Sequence, residues 1–265
     1  MLLRTRLRRV LGCTFVILIV ATSMQGLPII TPMEHESETR VKAYYINLRN
    51  RTDRRWSIEK ELADAHFKYV RVDGIYGAST DVVQSCWKGS DNYTCAGMIG
   101  VKFSHLRALD LAFPAHDDLV AVFEDDFIWS PQVDPALVLS AILTVDSQAF
   151  TWDVLLLAAV INEKTMIEPT VQVLVGSSTF SRLANVHAAQ TTHGYVVRRT
   201  YLPKLRSTFE SCEVTRDRHT AIDQCWKILQ MSDRWIAFDP PLGVQSPGYS
   251  DIELKHVDYF RILST

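Results

Sequence analysis

Along this chain, apolar residues gather in short continuous runs that alternate with stretches of helical period and are separated by turn residues. Residues 41–48 are rich in β-formers and predict a first strand. Residues 54–66 carry Trp56, Ile58, Leu62 and Ala65 at spacings that predict a helix with an imperfect apolar face. Residues 67–72 then predict a second strand, closed by Asp73-Gly74. Strand, helix and strand in so short a span make a βαβ unit. A loop over 77–95 leads to a helix over 98–113, which Pro114 ends.

The next run is the chain's most telling. Leu119-Val120-Ala121-Val122-Phe123 has the length and composition of a buried strand, and it ends in Glu124-Asp125-Asp126. In open α/β sheets, ligands bind beyond the carboxyl ends of strands. Three acids there repel one another unless a cation neutralises them. A hard divalent cation with a phosphorylated substrate is the natural partner, and a solvated acidic turn is the plain alternative.

Ser130-Pro131 and Asp134-Pro135 open a helix running to about residue 145, and 152–157 is another buried strand. Residues 161–190 have no clear period, with a strand at 171–175 and a loop at 176–181 the only readable parts. Residues 193–197 predict a strand, 201–209 a helix with Pro203 in its first turn, and 221–229 a helix with Asp223 near its start. The tail from Pro240-Pro241 to Ile252 is turn-rich, and His256 follows. The whole predicts an α/β fold with a mixed, mainly parallel central sheet flanked by helices.

With 265 residues, 47% hydrophobic, the chain can bury a sizeable core, and a net charge of −2 gives no reason to expect a nucleic-acid partner. Arg4, Arg6, Arg8 and Arg9 precede an apolar run over 10–21, a secretory-pathway pattern that holds the arginines on the cytoplasmic side. Residues 1–23 thus predict either a cleaved signal peptide or a signal anchor, which residues 27–30 would lengthen. Residues 24–40 predict a stem, and 41–265 a luminal domain. Either fate of the segment places the rest in an oxidising lumen. Cys86, Cys95, Cys212 and Cys225 suggest local bridges Cys86–Cys95 and Cys212–Cys225, although four cysteines allow three pairings. Asn50-Arg51-Thr52 and Asn92-Tyr93-Thr94 are N-glycosylation sequons, with Asn50 beside a candidate substrate loop.

Other candidate residues have plain alternatives. Asn47, Arg49, Arg51, Arg54 and Arg55 after the first strand could grip phosphate, or could simply be a solvated helix start. Asp73-Gly74 could let a ribose or base approach the backbone, or make an ordinary turn. His105 could be a ligand or contact a substrate, or simply pack or satisfy a hydrogen bond on its helix. Asp223 could complement the helix dipole or act as a general base.

Five elements in order resemble glycosyltransferase family 25, which contains lipopolysaccharide and collagen galactosyltransferases. They are Tyr45-Ile46-Asn47-Leu48 with Arg54-Arg55; Asp73-Gly74 with Gly77; Gly97 to Gly100 with Ser104-His105; Val122-Phe123-Glu124-Asp125-Asp126; and Tyr195, Asp223, Pro240-Pro241, Gln245 and Ser250-Asp251-Ile252. Val101 stands where the family often carries cysteine, and 161–190 matches none of its pattern. The resemblance implies a GT-A-type nucleotide-sugar fold, a UDP-sugar donor (commonly UDP-galactose), Mn²⁺, and inversion at the anomeric carbon. Carried onto this chain, Glu124 and Asp126 would hold the metal and ribose, with Asp125 supporting them. Asn47, Arg49 and Arg55 would contact the nucleotide, Asp73 with Gly74 the base or ribose, and Ser104 with His105 would complete the cofactor side. Asp223 would be the base, Asp251 its reserve, and His256 a further metal ligand.

The expected activity is transfer of a hexose, galactose foremost, to a hydroxyl of a glycan or protein in the Golgi or endoplasmic reticulum, by a single-pass type II membrane protein. A non-catalytic nucleotide-sugar-binding protein and a metal-dependent hydrolase are the competing readings.

Overall fold

The computed structural model describes residues 20–22, 28–30, 40–77, 92–212, 221–251 and 255–258. In chain order, β1 (Val20–Thr22), β2 (Pro28–Ile30), β3 (Val41–Asn47), α1 (Thr52–Asp64) and β4 (Lys68–Asp73) come first. Then follow α2 (Asn92–Ala112), β5 (Leu119–Glu124), β6 (Phe127–Trp129), α3 (Pro135–Asp146), β7 (Val154–Met166), β8 (Gln172–Leu174) and β9 (Phe180–Arg198). The last elements are α4 (Leu202–Ser211), α5 (Ile222–Cys225), α6 (Lys227–Ser232), β10 (Trp235–Asp239), β11 (Gly243–Gln245), β12 (Gly248–Ser250) and β13 (Lys255–Val257).

The site is built on a parallel trio, in which β3 pairs with β4 on one side and β5 on the other. β9 runs antiparallel to β5 and continues the sheet through β7, β8 and β10. The expected mixed sheet flanked by helices is therefore what forms. On β5, Leu119, Ala121 and Phe123 enter one core cluster with α1 and α3, and Val120 and Val122 enter the other with α2, α4 and Trp226. Helices cover both faces, which is why this strand reads as an unbroken apolar run.

Several expectations shift. Trp56 is 72% exposed, whereas Ile58, Leu62 and Ala65 of the expected apolar face are buried. Helix α2 starts at Asn92, so Cys95 is helical rather than in a loop. Gly77 and Gly100 serve close packing there. A Cβ on Gly100 would lie 2.6 Å from the Ile75 carbonyl oxygen, and one on Gly77 would lie 1.7 Å from that of Ala96. The loop after β4 therefore presses directly on α2.

The unreadable stretch 161–190 is a long β7–β9 hairpin. Register shifts between Leu156 and Lys164 break its alternation, so no single period survives in the sequence. β10 has no counterpart among the expected strands.

Residues 28–30, expected in the stem, form β2 alongside β8. Among the described residues no helix is long and apolar enough to cross a membrane. The run at 10–21 lies almost wholly outside them. Cys212 and Cys225 are bridged as expected, Cα–Cα 5.9 Å. Cys95 is also disulfide-bonded, and its expected partner Cys86 lies outside the described residues.

Candidate active site

The three acids close β5. The antiparallel register pairs Val122 with Tyr195 and Phe123 with Gly194, so the next step sets His193 opposite Glu124. His193 Nδ1 lies 3.4 Å from Glu124 Oε2 and 3.4 Å from Asp126 Oδ1. One ligand atom from each of Glu124, Asp126 and His193 falls within 4.8 Å of the others. Asp126 Oδ1 and His193 Nδ1 are buried and have no hydrogen-bond partner among the described residues. Buried polar atoms are rarely left so. Two carboxylates and an imidazole form a donor set that a divalent cation would satisfy once His193 gives up its proton, so the residues present fit a metal.

Phe127 anchors the turn that carries these acids. A Cβ on Gly194 would lie 2.8 Å from its ring and one on Gly243 would lie 2.2 Å away, so both positions yield space to the ring. β6 and β11 pair beside it. Gln245 on β11 donates from Nε2 to Asp126 Oδ2 at 3.0 Å, and the Ser246 amide donates to the Asp126 carbonyl at 2.7 Å.

Glu124 is held from behind. Thr192 Oγ1 donates to its Oε1, and His105 Nε2 lies 3.3 Å from the same oxygen. The other His105 nitrogen is 3.1 Å from the Tyr195 hydroxyl. Burial alone would raise the Glu124 carboxyl, but the His193 charge and the contact with His105 keep it well below the usual range. Burial would lower His193, yet the Glu124 charge and the Asp126 contact raise it to about 10. Asp125 is pushed to about 6 by burial and by the Asp126 charge, against the pull of Arg54 and Asn47.

The sequence-predicted residues divide into those the site uses directly and those that support it. Asn47 is buried and donates to Asp125 Oδ2 at 2.8 Å, so it supports the acids. Arg54, not Arg55, reaches them, at 2.9 Å from Asp125 Oδ1 and 3.2 Å from Asp126 Oδ2. Arg55 turns away to Glu59 at 2.9 Å because it projects along the helix surface. Ser104 is consumed between the Ile75 amide and the Gly100 carbonyl, and His105 is buried behind Glu124. Gly74 packs its backbone on Asn47, its amide donating to the Asn47 carbonyl at 2.9 Å.

Asp73 and the exposed Arg49 stand at the rim, 3.5 Å apart, with Arg71 on the other Asp73 oxygen at 2.6 Å. Asp251 is ion-paired with Arg51, and Arg54 also donates to the Tyr249 carbonyl at 2.6 Å. The tail thus closes on the arginines after β3. His256 lies outside the ligand cluster, exposed on the β12–β13 hairpin with its ring edge-on to Tyr249. Asp223 Oδ2 accepts the Thr191 amide at 3.0 Å.

His193 is the residue that sequence reasoning passed over. It belongs to a recognised strand, but its partner is fixed only by the β5–β9 register.

The helix-flanked α/β sheet thus carries a cation-competent cluster at the carboxyl end of a central strand, where open α/β sheets bind their ligands. Residues 40–226 match glycosyltransferase family 25 (LPS biosynthesis protein), and the chain belongs to that family. It is a glycosyltransferase.

No curated protein sequence matches the chain. Among solved structures it is distantly similar to a glycosyltransferase involved in glycosylation of the major capsid of PBCV-1, at 10% identity and TM-score 0.43, covering 80% of this chain and 95% of that one. It is also similar to the UDP-glucose pyrophosphorylase from Acinetobacter baumanii, at 10% identity and TM-score 0.41, covering 74% and 85%. A third likeness is to the inositol-1-phosphate CTP transferase from T. maritima, at 12% identity and TM-score 0.37, covering 87% and 97%.

Proposed function

We propose that this chain is a metal-dependent, inverting glycosyltransferase that moves a hexose, with galactose the first candidate, from a UDP-sugar to a hydroxyl of a glycan or protein. The observation that carries this reading is the gathering of Glu124, Asp126 and His193 at the end of β5, with one ligand atom from each within 4.8 Å of the others. A divalent cation held there, Mn²⁺ by this reading, would neutralise the departing diphosphate as a Lewis acid.

The chain's own residues do the rest. Glu124, Asp126 and His193 would hold the cation. Asn47 and Arg54 keep Asp125 ordered beside it. Arg49 and Asp73, exposed at the β3–β4 rim, are placed to meet the nucleoside side of the donor. A single inverting displacement needs one base for the acceptor proton. Asp251 is committed to Arg51, so Asp223, with its second oxygen free of the Thr191 bond, is assigned that task.

The Cys212–Cys225 bridge supports residence in an oxidising lumen. The basic and apolar N-terminal residues remain the proposed membrane segment, with the Golgi or endoplasmic reticulum as the proposed site.

The test is UDP release from a panel of UDP-sugars, with and without Mn²⁺ and acceptor. Release that requires both metal and acceptor supports the reading. Sugar release indifferent to acceptor would make the protein a hydrolase, and binding of Mn²⁺ and UDP without turnover would make it a non-catalytic binder.

A further inference from the structure

Thr191 is one of two non-glycine residues with positive φ among the described residues, at φ 72°. A threonine resists that conformation because its branched Cβ crowds the backbone. The strain falls next to Thr192, which bonds Glu124, and two residues before the metal-facing His193. Something must hold the backbone there.

The neighbouring helices supply it with side chains. Trp226 Nε1 donates to the Ala189 carbonyl at 3.1 Å, and Gln230 accepts the Ala189 amide at 2.7 Å. Asp223 Oδ2 is the next rung, accepting the Thr191 amide at 3.0 Å. Three side chains from α5, α6 and the residue between them thus stand in for a neighbouring strand where β9 bulges. Helix α5 has only four residues and would not persist alone, but its last residue, Cys225, is bridged to Cys212 at the end of α4.

We infer that Asp223 is a positioning residue for the metal site, in addition to the base role assigned above. It pins Thr191 in the left-handed conformation and thereby points Thr192 at Glu124 and His193 at the cation position. The inference rests on the metal-dependent reading, and it divides Asp223 into two separable duties. The anchor needs only an acceptor oxygen, whereas the base needs an ionisable carboxylate.

The test uses the full chain and two readouts besides turnover: exchange of the Thr191 amide by NMR without metal, and Mn²⁺ affinity by calorimetry. Asp223→Ala should speed Thr191 exchange at least about tenfold and weaken Mn²⁺ binding about 10–100-fold. Asp223→Asn, which still offers an oxygen, should hold both within about tenfold of wild type, while transfer falls about 10²–10⁴-fold in kcat through loss of the base. Adding Thr191→Gly to Asp223→Ala should restore most of the Mn²⁺ affinity, because glycine takes positive φ without an anchor.

Wild-type exchange and affinity in Asp223→Ala would overturn the inference, as would failure of both the asparagine and the glycine variants to recover binding. If wild type binds no Mn²⁺, the functional reading fails. Thr191 exchange then decides the anchor alone, with lost protection in Asp223→Ala upholding it and retained protection overturning it.

Discussion

Glu124 and His193 face each other across the β5–β9 ladder, with His193 Nδ1 3.4 Å from Glu124 Oε2. Register alone puts them there, since Phe123 pairs with Gly194 one step earlier. Neither residue is near the other in sequence, yet together with Asp126 they gather the atoms a cation needs. Replacing His193 by alanine should therefore cost at least about a hundredfold in Mn²⁺ affinity, more than loss of an outer-shell partner such as His105. Calorimetric titration of both variants checks the order.

The charge state of His193 gives a pH dependence. Its pKa is raised to about 10, because the Glu124 and Asp126 contacts outweigh the burial that would lower it. A raised folded-state pKa contributes stability that is complete below the ordinary value of 6.5 and is lost as pH climbs toward about 10. The metal-free protein should thus melt at progressively lower temperature from pH 7 to 10, and His193→Gln should flatten that slope. A metal takes the neutral nitrogen, so Mn²⁺ affinity should rise over the same window with release of a proton. Calorimetry in two buffers of different ionisation heat measures that proton.

Arg54 offsets the repulsion between Asp125 and Asp126. Arg54→Ala should cost about 3 kcal/mol at pH 7, since removing one partner strands buried charge. Asp125 already sits at about 6, raised by burial and by Asp126. Ionised Asp125 therefore costs stability that grows as pH rises from 3.8 toward about 6, and the variant's deficit should shrink at pH 5. Mn²⁺ should raise the melting temperature of Arg54→Ala more than that of wild type. Urea unfolding at both pH values and melts with and without metal test these expectations.

Much of this architecture was legible in the chain. The 119–126 run announced a buried strand ending in carboxylates because both its faces are covered, and β5 is that strand. The β3–α1–β4 unit and the Cys212–Cys225 pairing were equally readable because each is local. What escaped was set by distant pairing. β9 spans 19 residues and changes neighbours along its length, and its bulges erase the alternation that marks a strand. His193 was therefore read as strand rather than ligand. Arg54 and Arg55 are adjacent, and only the angle of α1 decides which one meets the acids. For His105 the choice between packing and a ligand role was open in the sequence, and α2 turns both Ser104 and His105 inward.

The Cys212–Cys225 bridge closes a sequence separation of 13. Replacing both cysteines by serine should cost about 3 kcal/mol of stability. It should also weaken Mn²⁺ binding about tenfold by loosening the helix that carries Asp223. Chemical unfolding and metal titration of the same variant measure both effects. Lost stability with unchanged metal affinity would separate the bridge from the site.

Room at the β5–β9 crossing is tight around Phe127. Gly194→Ala would bring a methyl group to 2.8 Å from that ring. Overpacking of this kind costs about 1–3 kcal/mol, and the displaced ring adjoins Asp126. Thermal melts should show the loss, and Mn²⁺ affinity should fall with it.

The most direct test of the account is a Mn²⁺ titration followed by electron paramagnetic resonance, with and without UDP, on wild type, Asp126→Ala and His193→Ala. The account predicts one site per chain that tightens when UDP is present and disappears in both variants while the fold persists. Absence of binding in wild type, or binding that survives both substitutions, would contradict it.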